Sequence, residues 1–462
     1  MYRWKLLQSI AVLGLASLVP LAVNAQTVTT TTTTTIDTVS ARDTIRPGEI
    51  IGSDNYPSAQ AYLSPGNYLL VQRGMQMKIV PSSHLDWPPP YRVATEKYSP
   101  QCSLGPDGQL SGYVAGLPFP LLDPNDPQLA TKVMWNYENR PMYSDDADLR
   151  YPEFDTYGPD GHSINRLLVG HMAFYNNVGR VEVPPTPTDP DAFASGVRTR
   201  FGLFPYLEPS TVNGVGFVRY RYINDLRPDD VWAYNRDTRR VRRETESSQS
   251  DPIAVPATFG SAGGTSGVTS GGSPQPTLAN NIDPDSLLGF SANPSEYNYT
   301  YLGEGRMLAV VHAHRSPEME CPDDASRVCP ENWEMRHLYV IQADAKAGEN
   351  LMIPRRVLYI DSEGWFITAS DQYDPQGRLW KTLVNYVAYS DRSQPDSRVA
   401  VYPYRRFFPV AMVDKDLLNG YDSVAFMPSP TSPERDSWYL NMGAVDNSFF
   451  NTGNLVVALN GH

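Results

Sequence analysis

The chain has 462 residues, a formal net charge of −13, 41% hydrophobic and 11% aromatic residues, and only 3 Cys. This acidity argues against nucleic acid, whose phosphates would be repelled, and against nonspecific docking on anionic lipid. Three Cys are too few for a disulfide scaffold, while the length and apolar content suffice to bury a sizeable core.

At the start, Arg3 and Lys5 precede an apolar run from Leu6 to Val23 that ends in Val23-Asn24-Ala25. This pattern predicts a signal peptide over residues 1–25, and hence export to the periplasm. No Cys adjoins the cleavage-like site, so lipidation is not expected. Residues 26–43 form a Thr-rich leader of low complexity, TVTTTTTTTIDTVS, expected to be flexible. The expected domain then covers 44–462.

Start and stop signals predict a helix in LSPGNYLLVQRGMQM, with Ser64 as N-cap, Pro65 in the first helical position and Gly74 as the stop. A second helix is predicted after Asp126-Pro127, with Leu129, Val133 and Tyr137 on one face, and a third over HSINRLLVGHMAF. The rest of the first half reads as loop.

From about Thr211 the apolar period becomes two. GVGFVRYRYI sets Val218, Tyr220 and Tyr222 against Phe217, Arg219 and Arg221, and DDVWAYNRDTRRVRR repeats the pattern after a turn, predicting adjacent antiparallel strands. A Gly/Ser/Pro-rich loop is expected over about 244–281, inside a sheet rather than between domains. Strands resume in YNYTYLG, GRMLAVVHAH and MRHLYVIQA. RRVLYID, WFITASDQYD and RLWKTLVNYVAY then read as three strands joined by tight turns at SEG and DPQG. With unbroken alternation, Val357, Tyr359, Trp365 and Ile367 share one face and Leu358, Ile360 and Phe366 the other.

Chemistry is sparse. GHSINR lacks the second Gly of a nucleophile elbow, so Ser163 and His171 make a weak hydrolase pair. His312 and His314 could pair on a strand face, but no matching carboxylate accompanies them. Asp361, Glu363, Asp371 and Asp374 mostly sit at or beside turns, where acidic side chains cap backbone N–H groups. Cys321 and Cys329 bracket a polar loop and predict a disulfide, with a metal site as the less well spaced alternative; Cys102 reads as a buried thiol. No catalytic residue, metal or cofactor is expected. Aromatic density is the positive signal: Trp135, Tyr220, Tyr222, Trp232, Tyr234, Tyr359 and Trp365 are the candidate ligand-binding residues, against ordinary core packing. The basic run Arg239, Arg240, Arg242 and Arg243 could meet a headgroup or a partner, or simply face solvent.

The stretches LSPGNYLLVQRGMQMKI (63–79), YVAGLPFP (113–120), KVMWNYE (132–138), DDVWAYNRDTRRVRR (229–243) and PRRVLYIDSEGWFITASDQYDPQGRLWK (354–381) together resemble a family of exported bacterial proteins of unknown function known as outer-membrane lipoprotein-sorting proteins. The resemblance implies a fold similar to the LolA and LolB carriers. That is an α+β class fold with a strongly curved antiparallel β-sheet, a LolA-like half-barrel, helices covering the concave face and an apolar cavity. It also implies carriage of a lipid or other hydrophobic small molecule, with a resistance-nodulation-division-type transporter or an outer-membrane protein as partner. The family offers no catalytic residues to carry over. A packed interaction module of an envelope complex is the alternative function, and a hydrolase the weaker one.

Overall fold

A computed structural model describes residues 45–161, 164–235, 239–243, 284–313, 331–347, 351, 353–391, 402–429 and 438–457. The chain enters through β1 (Ile50–Ile51), α1 (Pro65–Gln72), β2 (Met77–Val80) and α2 (Pro89–Tyr98). It passes a side ribbon of β3 (Ser103–Leu104) and β4 (Leu110–Ser111) and forms α3 (Leu129–Glu138). Next come β5 (Asp146–Arg150), β6 (Glu153–Tyr157), β7 (Ile164–Asn176), α4 (Asp191–Ser195), β8 (Val197–Glu208), β9 (Gly216–Tyr222), β10 (Asp230–Asn235) and β11 (Arg240–Arg243). The second half holds β12 (Tyr297–Ala309), β13 (Glu331–Ala345), β14 (Arg355–Asp361), β15 (Ile367–Tyr373), β16 (Leu379–Ser390), β17 (Arg406–Asp416), β18 (Asp422–Phe426), β19 (Trp438–Leu440) and α5 (Asn454–Val457).

Seventeen of these strands share one sheet. Two antiparallel meanders, β6 to β11 and β12 to β18, join where β18 pairs with β6. Two branches leave this path. β5 pairs with the second half of β7 and carries β19, while β2 pairs in parallel with the start of β13 and carries β1. Among the described residues β11 and β12 have no further neighbour, so the sheet ends in two edges and does not close. Register shifts at Leu168/Val169, Val197/Thr199, Tyr301/Gly303, Tyr359/Ile360, Gln372/Tyr373 and Tyr386/Val387 add local bend and twist. The result is an α+β fold whose strongly curved antiparallel sheet forms a half-barrel.

Local signals explain the helices. Ser64 Oγ accepts from Asn67 N at 3.0 Å, Pro65 opens α1, and Gly74 takes φ +119°, a conformation that only Gly adopts cheaply. In α3 the buried Leu129, Val133 and Tyr137 pack with Tyr91 of α2 against Leu358, Ile360 and Ile367, so these two helices cover one face of β13–β15. α2 itself lacked a start signal beyond its Pro residues.

The expected third helix is strand β7. Its segment sits between β5 and β6 on one side and β8 on the other, and pairing on both edges outweighs a helical period that the apolar residues also satisfy. Gly170 at its middle leaves room for Pro205: a Cβ there would lie 2.9 Å from Pro205 Cδ. The loop-rich reading of the first half is corrected too, since β5, β6 and β8 lie there. β8 was masked by Gly202 and Pro205, residues that ordinarily argue against a strand.

The hairpins β14–β16 form where expected, but their faces are exchanged beyond the first turn. Trp365 and Ile367 pack with Leu358 and Ile360, while Phe366 packs with Val357 and Tyr359. Two local features shift the alternation. Trp365 takes φ +57°, and Thr368 is an extra residue between the pairs Tyr359–Ala369 and Ile360–Ile367.

Candidate functional site

On β9, Arg219 and Arg221 are two residues apart and therefore point to the same face, toward the C-terminus of α3. That helix ends at Glu138, and Arg140 follows two residues later. Phe174 and Asn176 from β7, Thr199 and Phe201 from β8, and Leu287, Leu288, Phe290 and Ser291 complete the walls of a half-enclosed cavity of ≈ 50 Å³. One side of it is aromatic, with Tyr143 stacked on Phe174 at 4.7 Å and Phe174 against Phe201 at 4.8 Å.

The other side is charged. Glu138 Oε1 accepts from Arg198 at 2.8 Å and from Arg221 at 3.2 Å. Asp229 accepts from Arg221 at 2.9 Å and lies 3.7 Å from Arg219. The Ser291 carbonyl accepts from Arg219 at 3.0 Å and from Arg221 at 2.9 Å. Burial opposes ionisation of Glu138, yet Arg198, Arg221 and Arg140 together hold its carboxyl below the ordinary range. Nearby, burial pushes the Asp225 carboxyl up. Arg140 differs from its neighbours: among the described residues it donates to the Tyr137 carbonyl at 2.9 Å and the Tyr143 hydroxyl at 2.7 Å and to no carboxylate.

The expected aromatic residues do not gather at this cavity. Tyr220, Trp232 and Tyr234 pack with Phe450 and Leu455, and Tyr220 Oη donates to the Phe450 carbonyl at 2.6 Å. Tyr222 Oη donates to Asp230. Tyr359 sits with Val357 and Phe366 and donates to Asp371, whereas Trp365 stacks on Tyr339 with centroids 5.5 Å apart. Trp135 Nε1 donates to the Gly108 carbonyl at 2.9 Å. The cavity instead uses the Phe/Arg face of β9. In the sequence this face shows as arginines alternating with Tyr on an apolar strand.

Arg239, Arg240, Arg242 and Arg243 are exposed, the last three on edge strand β11, and Arg243 pairs with Asp230. Charged side chains on an edge also deter edge-to-edge pairing. His171 donates or accepts at Asp148 at 2.9 Å, and His312 pairs with Glu334. Ser163, His314, Cys321 and Cys329 lie outside the described residues. Among the described residues no group of three His, Cys, Asp or Glu could hold a metal. Cys102 is half-buried, and burial pushes its thiol to about 11.

Of the four acidic residues in the hairpins, Asp361 and Asp374 accept backbone N–H groups of their turns. Glu363 sits between Arg336 and His84. Asp371 is different: it is fully buried mid-strand, where Gly66 N donates at 3.1 Å and Thr382 Oγ1 at 2.8 Å, and burial pushes its carboxyl to about 6.

Residues 50–261 and 269–408 match the profile of a family described as "Protein of unknown function (DUF1329)". An uncharacterized protein of Pseudomonas aeruginosa is 21% identical over 294 residues, 62% of this chain, which spans 56% of that relative's length. Among solved structures, a domain from Vibrio parahaemolyticus named for outer membrane lipoprotein sorting has TM-score 0.40 at 13% identity, covering 70% of this chain and 97% of its own. A DUF1329 protein from Desulfovibrio piger has TM-score 0.37 at 14% identity, covering 70% and 96%, and a LolA superfamily protein from Nitrosomonas europaea has TM-score 0.33 at 13%, covering 70% and 98%. At TM-scores this low these likenesses carry no argument, and the fold rests on strand order and register.

Proposed function

The chain belongs to the DUF1329 family of proteins of unknown function, and on that premise we propose that it is an exported, periplasmic binding protein for a hydrophobic ligand, held between α3, β7–β9 and the segment Pro284–Ser291. The observation that carries the reading is the cavity itself, a partly apolar space inside an open half-barrel. Its ≈ 50 Å³ has room for about four waters. A long chain therefore enters only as Leu287, Leu288 and Phe290 withdraw.

Those three side chains are buried, and the segment is anchored at its two ends, where Arg356 and Gln372 donate to Ser286 Oγ and Arg219 and Arg221 donate to the Ser291 carbonyl, with Tyr137 Oη donating to the Phe290 carbonyl. Leu288 takes φ +55°, which costs a non-glycine residue roughly 1–2 kcal/mol. Each methylene that replaces these side chains would contribute about 0.8 kcal/mol. The reading requires no reaction. Release would fall to a membrane partner, a resistance-nodulation-division-type transporter or an outer-membrane protein in the reading that the resemblance implies.

One observation favours a packed interaction module instead. Phe193 in α4 is 80% exposed and Leu226, in the turn after β9, is 60% exposed, at the end of the sheet where Ile223 N donates to the Gly196 carbonyl. Native mass spectrometry of the protein purified from periplasm without detergent separates the two. A stoichiometric apolar adduct, lost in a folded Phe201→Asp variant, is the expected result. A clean apo mass with no uptake of offered lipids overturns the binding reading in favour of the module.

A further inference from the structure

We infer that the cavity is a carboxylate site and that the ligand is an amphiphile with an anionic carboxylate head, held by Arg140 with its chain toward Phe174, Phe201 and Leu288. This rests on the binding function proposed above and deepens it.

Glu138 is shared by Arg198 and Arg221, and Asp229 by Arg221 and Arg219. Arg140 is 7% exposed and lines the same cavity, yet no carboxylate of the described residues lies within ion-pair distance of it. Its guanidinium has five N–H donors and uses two on neutral oxygens, lying 4.4 Å over the Tyr137 ring and 5.0 Å over Tyr143. Arg180, by contrast, is compensated by carbonyls alone: its donors go to those of Asp145, Asn176, Val183 and Pro185. Glu138 attracts Arg140 only from beyond ion-pair distance, and a buried cation without a directly bonded anion is incompletely compensated, so an anion entering the cavity gains that direct contact.

Size and surroundings choose the anion. Space for about four waters accepts a carboxylate with the first carbons of its chain. A planar carboxylate also suits the guanidinium fork. Asn176, Thr199 and Ser291 add polar side chains at the rim, and the remaining wall is aromatic or aliphatic, which suits a chain and not a free inorganic ion. Glu138 does not repel the ligand outright, because Arg198 and Arg221 already match its charge.

The test compares dodecanoate, dodecanol, dodecyl phosphate and acetate by calorimetric titration at pH 8, below micellar concentrations. Wild type should bind dodecanoate at least tenfold tighter than dodecanol and dodecyl phosphate and at least a hundredfold tighter than acetate. Arg140→Met should lose the preference over dodecanol while binding the alcohol as wild type does, and Arg140→Lys should keep part of it. Without ligand, Arg140→Met should melt only slightly below the wild-type temperature, because the two hydrogen bonds it loses run to neutral oxygens and no ion pair is broken. Equal binding of dodecanoate and dodecanol by wild type, an unchanged preference in Arg140→Met, or a large drop in its ligand-free melting temperature overturns the carboxylate site and leaves the hydrophobic-ligand reading standing. A preference for dodecyl phosphate replaces the carboxylate by a phosphate head, and acetate binding equal to dodecanoate reduces the site to one for small anions. No binding of any long-chain probe overturns both readings.

Discussion

Two arginine clusters invite comparison. One is the run Arg239–Arg243, dense in sequence and exposed on edge strand β11. The other is Arg140, Arg198, Arg219 and Arg221, far apart in sequence yet gathered near the C-terminus of α3, where all but half-buried Arg219 are buried, Arg198 and Arg221 share Glu138, and Arg221 and Arg219 share Asp229. Charge density along the chain marked the first; burial gives consequence to the second. A charge in water is already solvated, so its pairing contributes little, whereas a buried charge must be matched by something.

The sharpest way to break this contrast is Glu138→Gln, which leaves Arg198 and Arg221 without their shared carboxylate. We expect a loss of about 3–5 kcal/mol in urea unfolding. A loss below about 1 kcal/mol would mean that the buried cluster behaves like the exposed one. A second buried charge extends the test away from the arginines. Because the folded-state carboxyl of Asp371 is raised from 3.8 to about 6, its contribution to stability is fully present below the unfolded value and is lost as pH rises through about 6. Wild type should therefore lose up to roughly 3 kcal/mol relative to Asp371→Asn between pH 4 and pH 8. Parallel pH profiles for the two proteins would remove the buried carboxylate from the account.

Smaller effects belong to the exposed ribbon. Arg243→Ala breaks the pair with Asp230, whose partner side chain is 58% exposed, and should cost about 0.2–1 kcal/mol, less at high salt. Arg240→Ser with Arg242→Ser should change stability by no more than about 0.5 kcal/mol. Its visible effect should be self-association by light scattering, since the edge loses its charges.

The comparison also separates what was legible from what was not. The strands β9, β10 and β13–β16 were legible as elements, though not the faces of β15, because strand alternation and turn residues such as Gly377 are local signals. α1 was equally plain, from Ser64 to Gly74. β7 was not, since HSINRLLVGHMAF satisfies a helical stripe and a strand buried on both faces alike, and only its pairing with β5, β6 and β8 decides between them. Aromatic density in the strands groups Tyr220, Tyr359 and Trp365, but they reach three separate clusters, and in the hairpin a bulge and a positive φ reassign faces that a strict period keeps together. Of the cavity, the local pattern shows Arg219 and Arg221 alternating with Tyr on β9, but not what that face meets.

By itself, then, the amino-acid sequence determined the charge, the family resemblance, the antiparallel strands of the second half and the start of α1, all of which depend on neighbours within a few residues. The tertiary structure alone decided which face of β9 lines a cavity, that Arg140 ends up buried beside it without a carboxylate, and that Asp371 meets the first turn of α1 at Gly66. These depend on pairings between residues up to hundreds of positions apart, where desolvation gives the same side chain a different free energy, and no local pattern encodes that distance.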